Sequence, residues 1–257
     1  MTLLALTAFD DNYIWALTRD GSHAIIVDPG DATPIFNAAA SGLEPVAVLI
    51  THHHDDHCGG LANLRRRWPD LPIYAPYDDR IGVPTQAVAD GERVSALGLE
   101  FQVLEVPGHT RSHIAFLNTT EGGHLFSGDT LFSLGCGRLF EGTPAQMLAS
   151  LDRVSALPDQ TLVCCGHEYT LSNAAFAVAV EPDNAALQGR FTEAQRMRQE
   201  GSPTLPSTLA SERACNPFLR VDQSAVIAAV AARLGRMPVD RVETFAELRR
   251  WKDGFRA

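Results

Sequence analysis

The segment Thr51-His52-His53-His54-Asp55-Asp56-His57-Cys58-Gly59-Gly60 constrains this chain more than any other stretch of it. It follows the apolar run Val46–Ile50, which has the length and β-branched content of a buried strand, so the histidines stand on a loop at a strand's C-terminal end. Four imidazoles within six residues, in the pattern H-x-H-x-D-H, supply the nitrogen and oxygen donors that zinc, iron and manganese accept. A tight loop presents alternate side chains to one ion and the remainder to its neighbour. On that logic His52 and His54 serve one metal, Asp56 and His57 serve another, and His53 and Asp55 point away.

Three further candidate ligands stand at strand ends: His109 after Leu99–Val106, Asp129 after His124–Ser127, and His167 after Thr161–Cys165. Each follows a glycine, Gly108, Gly128 or Gly166, where the backbone can turn sharply and place the next side chain at the lip of a sheet. Asp28, in Val27-Asp28-Pro29-Gly30, reads equally as a carboxylate behind a ligand and as a turn former. The segments Leu3–Ala8, Tyr13–Thr18, His23–Val27, Ile73–Ala75 and His113–Leu117 complete a strand-rich region, with helical stretches at Leu61–Trp68 and Pro144–Ala156. After His167 the text becomes alanine-rich and helix-periodic, over Leu171–Val180, Asn184–Glu200, Ser224–Arg233 and Phe245–Lys252. The chain therefore divides into a strand-rich region, 1–167, and a helical region, 168–257, and the family resemblance described below makes the first catalytic and the second substrate-binding.

The net charge of −10, from 21 basic and 31 acidic residues, opposes a nucleic-acid partner, because phosphate contacts need a positive field. Five cysteines, an odd number with Cys164 and Cys165 adjacent, suit a reduced thiol pool and a cytoplasmic location better than a disulfide framework. Asp10 and Asp11 interrupt the N-terminal apolar stretch before it could act as a signal sequence, and the apolar run Ala225–Ala232 is too short to span a bilayer. Neither membrane nor nucleic acid is an expected partner, and the chain is read as a monomer.

On these residues the chain resembles the metallo-β-lactamase superfamily and, within it, the glyoxalase II family of hydroxyacylglutathione hydrolases, nearly end to end. The resemblance implies an α+β fold, an αββα sandwich followed by a C-terminal α-helical domain. It implies that His52, His54 and His109 hold one metal, that Asp56, His57 and His167 hold a second, and that Asp129 bridges them. The implied cofactors are two divalent ions, zinc first, with iron or manganese as alternatives. Gly135–Gly142, Gly166–Thr170, Cys215–Arg220 and Leu248–Asp253 carry the likeness to this family in particular. From them come the expected substrate contacts Arg138, Phe140, Tyr169, Arg249 and Lys252.

An anionic glutathione thioester needs local positive charge in an acidic protein, and guanidinium groups grip carboxylates with paired hydrogen bonds. On spacing alone Arg249–Lys252 reads as a solvated helix end whose cations complement the dipole; the resemblance reverses that reading. Four positions depart from the family's common pattern. Arg138 stands for lysine, Phe140 for tyrosine, Ser112 for glycine and Asp55 for an aromatic residue.

The implied reaction is hydrolysis of S-(2-hydroxyacyl)glutathione, typically the D-lactoyl ester, to glutathione and a 2-hydroxy acid, the second step of methylglyoxal detoxification. Water activated by the metals is the expected nucleophile, its pKa lowered from about 15.7 towards 7, with Asp56 orienting it. A covalent route through Cys58 or Cys136 would leave the ligand set redundant. A lactonase or a broader thioesterase would lack use for the basic C-terminal helix, and a purely metal-binding protein would lack use for Asp56 and Asp129.

Overall fold

The computed structural model describes residues 1–120 and 123–256. These residues form two compact units, one of Met1–Glu105, Ser112–Gly128 and Cys164–His167, the other of Val106–Arg111, Asp129–Val163 and Glu168–Ala257.

The first unit is built on β-sheet. Strands β1 (Thr2–Ala8), β2 (Asn12–Thr18), β3 (His23–Val27), β4 (Glu44–Leu49), β5 (Ile73–Ala75) and β6 (Gln86–Ala87) hydrogen-bond in that order, antiparallel from β1 to β3 and parallel from β3 to β6. Parallel neighbours need a crossover. Helix α1 (Thr33–Ala40) supplies one between β3 and β4, and α2 (Asp55–Cys58) with α3 (Leu61–Arg67) supplies the next. Every residue of β2 is buried, which requires cover on both faces of the sheet. On one face Ile14, Ala16, Ile26, Val48 and Ile73 pack with Ile35 of α1 and with Leu61 and Leu64 of α3.

Trp15 points to the opposite face, where its indole N–H donates to the Cys165 carbonyl at 2.9 Å. Cys165 lies on a strand of the second sheet, whose order is β14-β13-β10-β9-β8-β7. Those strands are β7 (Arg93–Ala96), β8 (Leu99–Glu105), β9 (Ile114–Asn118), β10 (His124–Gly128), β13 (Leu162–Cys165) and β14 (Ser207–Thr208). The sheets are thus stacked, with the C-terminal ends of β4, β10 and β13 leading into the loops that carry histidine and aspartate.

The second unit contains the hairpin β11 (Leu131–Phe132) and β12 (Gly135–Cys136), then α4 (Pro144–Ser155), α5 (Thr170–Val180), α6 (Ala185–Gln199), α7 (Leu209–Cys215), α8 (Ser224–Leu234) and α9 (Arg241–Gly254). An aromatic cluster forms one centre: Phe176 stacks on Phe218 at 5.9 Å and meets Trp251 edge-on at 5.4 Å, and Phe245 meets Phe218 at 5.8 Å. Each fully buried phenylalanine contributes roughly 1.5–3 kcal/mol, so this cluster anchors α5 and α9 together. Asn216 donates to the carbonyls of Phe132 and Gly135 at 3.2 and 3.0 Å and so holds the hairpin from within. Buried Glu212 accepts from the Leu134 N–H at 2.7 Å, and its burial pushes its carboxyl pKa up.

The strands and helices expected from periodicity are present within a few residues of their expected ends. Helix α9 starts at Arg241, ahead of the apolar periodicity at Phe245, because the Asp240 carboxylate caps it by accepting from the Glu243 N–H at 2.8 Å. Helices α1, α2 and α7 and the short strands β6, β7, β11, β12 and β14 are additional. The residue before α1, Ala32, has no side-chain acceptor and therefore gives no capping signal.

Candidate metal centre

The loop after β4 begins as extended chain and then closes into the single turn of α2, with His54 as its N-cap. This change of geometry separates the candidate ligands. His52 and His54 leave extended backbone, whereas Asp56 and His57 are neighbours on a helical turn. Gly30 permits the loop's position: a Cβ there would stand 1.9 Å from the Asp56 carbonyl oxygen.

Histidine ligates through a lone pair, so the opposite ring nitrogen must carry the proton and find an acceptor. Asp28 Oδ2 lies 3.0 Å from His57 Nδ1 and accepts that proton, which places the lone pair on Nε2. Asp11 Oδ1 does the same for His167 Nδ1 at 2.8 Å. Thr51 donates its hydroxyl to Asp28 Oδ2 at 2.7 Å and its N–H to Asp28 Oδ1 at 2.8 Å. Its oxygen then accepts from His52 Nδ1 at 3.1 Å, so His52 also presents Nε2. Nε2 of His52 faces Nδ1 of His54 at 3.0 Å, and the two rings meet at 79°. In the second unit, His109 Nδ1 donates to the Arg138 carbonyl at 2.9 Å, which again places the lone pair on Nε2.

The inward-facing atoms have a spacing of their own. His167 Nε2 and His57 Nε2 lie 3.3 and 3.5 Å from Asp56 Oδ2, and His109 Nε2 lies 3.4 Å from Asp129 Oδ2. Hydrogen bonds are shorter than this. Two ligands bonded at about 2.0–2.1 Å to one tetrahedral ion stand about 3.3–3.4 Å apart, and these pairs match that edge. Asp56, His57 and His167 together present one ligand atom each within 4.8 Å of one another. The donor chemistry and the spacing both fit divalent metal.

The remaining expected site residues lie in the second unit. The Phe140 ring is exposed and meets the His109 ring edge-on at 5.2 Å. Tyr169 packs edge-on against Phe132 at 5.2 Å. Arg138 is exposed, with Nε 3.7 Å from Asp253 Oδ1. Arg249 is not a solvated helix-end cation. Its guanidinium is buried, donates to the Cys136 carbonyl at 2.7 Å and to Asp253 Oδ1 at 3.0 Å, and lies over the Phe218 ring at 5.2 Å. Lys252 donates to the Ser172 carbonyl at 3.0 Å, and burial together with the charges of Arg249 and Arg138 pulls its pKa down to about 8.

Residues 9–167 match the profile of the metallo-β-lactamase superfamily, and residues 168–255 match the profile described as hydroxyacylglutathione hydrolase C-terminus. A hydroxyacylglutathione hydrolase of Xanthomonas axonopodis pv. citri is 61% identical over 258 residues, with 100% of each chain covered. The chain belongs to the hydroxyacylglutathione hydrolase family.

Among solved structures, ETHE1 from Myxococcus xanthus has a TM-score of 0.65 at 24% identity, covering 99% of this chain and 100% of that one, a likeness of fold. TTHA1623, solved in a di-iron-bound form, has a TM-score of 0.55 at 30% identity, covering 65% of this chain and 92% of that one. This member of the hydroxyacylglutathione hydrolase family accordingly has the metallo-β-lactamase fold with a C-terminal helical domain. The two profiles meet at 167/168, whereas compactness assigns Val106–Arg111 and Asp129–Val163 to the unit that contains the C-terminal helices.

In this hydroxyacylglutathione hydrolase family member, sequence reasoning missed Asp11, Asn12, Thr51 and His113. Asn12 donates to Asp56 Oδ2 at 3.1 Å, and His113 stacks on His52 at 4.6 Å. The run Asp10-Asp11-Asn12 between two strands was a visible polar signal, but nothing local tied it to His167. Asp28, left open above, performs both roles: its φ of 52° makes the turn and its carboxylate holds His57 and Thr51.

Proposed function

We propose that this chain hydrolyses the thioester of S-(2-hydroxyacyl)glutathione, S-D-lactoylglutathione foremost, to glutathione and a 2-hydroxy acid, as the second step of methylglyoxal detoxification. The match of residues 168–255 to the hydroxyacylglutathione hydrolase C-terminus carries this reading, because a metallo-β-lactamase fold alone does not choose a substrate. That region contains Tyr169, Arg249 and Lys252, and Arg138 stands beside Asp253 of its last helix.

In this proposal His52, His54 and His109 would hold one divalent ion, Asp56, His57 and His167 would hold a second, and Asp129 would be the ligand common to both. Bound there, the ions supply a water of lowered pKa and stabilise the oxyanion that develops on the thioester carbonyl. Zinc is the first expectation; TTHA1623, 30% identical over its match, was solved in a di-iron-bound form, which supports iron as an alternative here. The chain's own residues prepare the chemistry. Asp28, Asp11 and the Arg138 carbonyl keep protons on the outer nitrogens of His57, His167 and His109, so that the inner lone pairs face inward. Asn12 fixes the Asp56 carboxylate, which orients the attacking water.

The leaving thiolate has an ordinary pKa of about 8.5 and departs without a dedicated acid. The Cys58 and Cys136 thiols are pushed up to about 12 and about 11 by burial, so they stay protonated near neutrality and make poor nucleophiles. These cysteines, with Cys164, Cys165 and Cys215, are buried and outside disulfides, which suits the cytoplasm. Among the described residues no helix is long and apolar enough to cross a membrane. The chain is proposed to act as a monomer.

The test compares hydrolysis of S-D-lactoylglutathione, a lactone and a β-lactam by one sample of measured metal content. The expected result is a kcat/KM for the thioester at least a hundredfold above the others, abolished by chelation and restored by zinc, roughly 2.7 kcal/mol or more of discrimination. A preference for the lactone would defeat the reading.

A further inference from the structure

The last turn of α9 sets an acidic residue where a helix least favours one. Carbonyl dipoles make that end negative, yet Asp253 follows directly on Lys252. Its Oδ1 is shared by two guanidinium groups, Arg249 Nη2 at 3.0 Å and Arg138 Nε at 3.7 Å. The two arginines differ. Arg249 has a side chain 6% exposed and is fastened to the Cys136 carbonyl, so its charge needs a fixed counter-charge. Arg138 has a side chain 65% exposed, and Asp253, 45% exposed, is its ion-pair partner. Arg138, Arg249 and Lys252 carry three positive charges about one carboxylate, a local excess of cation in a chain of net charge −10.

We infer that Asp253 is a resident anion that competes with the substrate's carboxylate for Arg138 while anchoring Arg249, and so sets the enzyme's affinity for anionic ligands. This rests on the glutathione-thioester reading above. The 3.7 Å Arg138 pair is long and open to water, which makes it the exchangeable one, and the 3.0 Å buried Arg249 pair is the permanent one. A carboxylate arriving at Arg138 replaces Asp253 in that pair and leaves Arg249 where it is. Asp253 is thus a positioning residue whose charge lowers affinity even as its geometry organises the site.

Asp253→Asn separates the two effects, because the amide oxygen still accepts from Arg249 while the charge is gone. Asp253→Glu keeps the charge. KM and kcat for S-D-lactoylglutathione, and the Kd values of glutathione and of inorganic phosphate by calorimetry, are measured for wild type and both variants at low and high salt. For D253N the inference expects KM and both Kd values to fall roughly two- to fivefold, the size of an exposed ion pair, with kcat held and the difference shrinking in high salt. D253E stays within a factor of two of wild type. A rise or no change in phosphate and glutathione Kd for D253N overturns the inference and leaves Asp253 as a strut for Arg249. Failure of the wild type to hydrolyse the thioester overturns the substrate reading instead, while the phosphate measurement still decides the role of Asp253.

Discussion

Replacing Asp28 with asparagine changes no backbone preference, since asparagine tolerates the left-handed φ of 52° found there. It changes the protons. Wild-type Asp28 only accepts, from the Thr51 N–H at 2.8 Å, the Thr51 hydroxyl at 2.7 Å and His57 Nδ1 at 3.0 Å. If the amide oxygen stays on the Thr51 N–H, the NH₂ faces two donors. His57 must then move its proton to Nε2, the atom that would ligate, and the Thr51 hydroxyl must turn towards His52 Nδ1, which lies 3.1 Å away. His52 would in turn protonate its own Nε2. One loss of an outer hydrogen bond lowers metal affinity about 10- to 100-fold, or about 1.4–2.7 kcal/mol, and this substitution disturbs two ligands. Zinc affinity of Asp28→Asn should therefore fall at least about 100-fold in competition with a chromophoric chelator. Circular dichroism should show the fold retained. An affinity within threefold of wild type would refute the tautomer argument.

Four further outcomes follow from the same structure. Gly128→Ala should lower the melting temperature by several degrees, a cost of about 2–4 kcal/mol, because its φ is +48° and a Cβ would stand 2.3 Å from Thr51 Oγ1. Trp15→Phe removes the indole hydrogen bond to the Cys165 carbonyl and should cost about 0.5–1.5 kcal/mol in urea unfolding with KM unchanged. Lys252 is cationic below its pKa of about 8 and neutral above it, so KM for the thioester should rise as pH passes upward through about 8, and Lys252→Arg should flatten that limb of the profile. Cys58→Ser should keep thioester turnover within about threefold of wild type, since burial holds the thiol near a pKa of about 12; loss of turnover with metal content intact would revive a cysteine nucleophile.

The donors facing inward were legible in the sequence because they sit in one short loop after a strand or directly after a strand-end glycine. Of the groups behind them, Asp28 was legible only as one of two readings, and Asp11, Asn12 and Thr51 not at all. Asp28 precedes Thr51 by 23 residues and Asp11 precedes His167 by 156, and their meeting depends on which strands become neighbours. Composition offers no access to that. His113 gave no sign of its place against His52, since a lone histidine opening an apolar strand is usually a matter of packing. Arg249 was legible as a cation, but its spacing alone could not show its burial, which is decided by Phe218 and Cys136, distant in the chain. Secondary structure was recovered where apolar periodicity announced it and lost at the short helices α1, which has no side-chain cap, and α7, in spite of its Thr208 cap.

The carboxylate of Asp28 fastens the histidine loop at two places, its first residue Thr51 and its last imidazole His57. A loop tied at both ends by the protein's own hydrogen bonds does not rely on an ion for its shape. Loading such a socket requires proton release and ion dehydration but no folding step, so one ion can be exchanged for another without the chain passing through a disordered state. Ligands of mixed nitrogen and oxygen character in a preformed socket select weakly among zinc, iron and manganese. The metal composition of the enzyme should consequently follow the supply of ions during growth rather than a preference written into the loop.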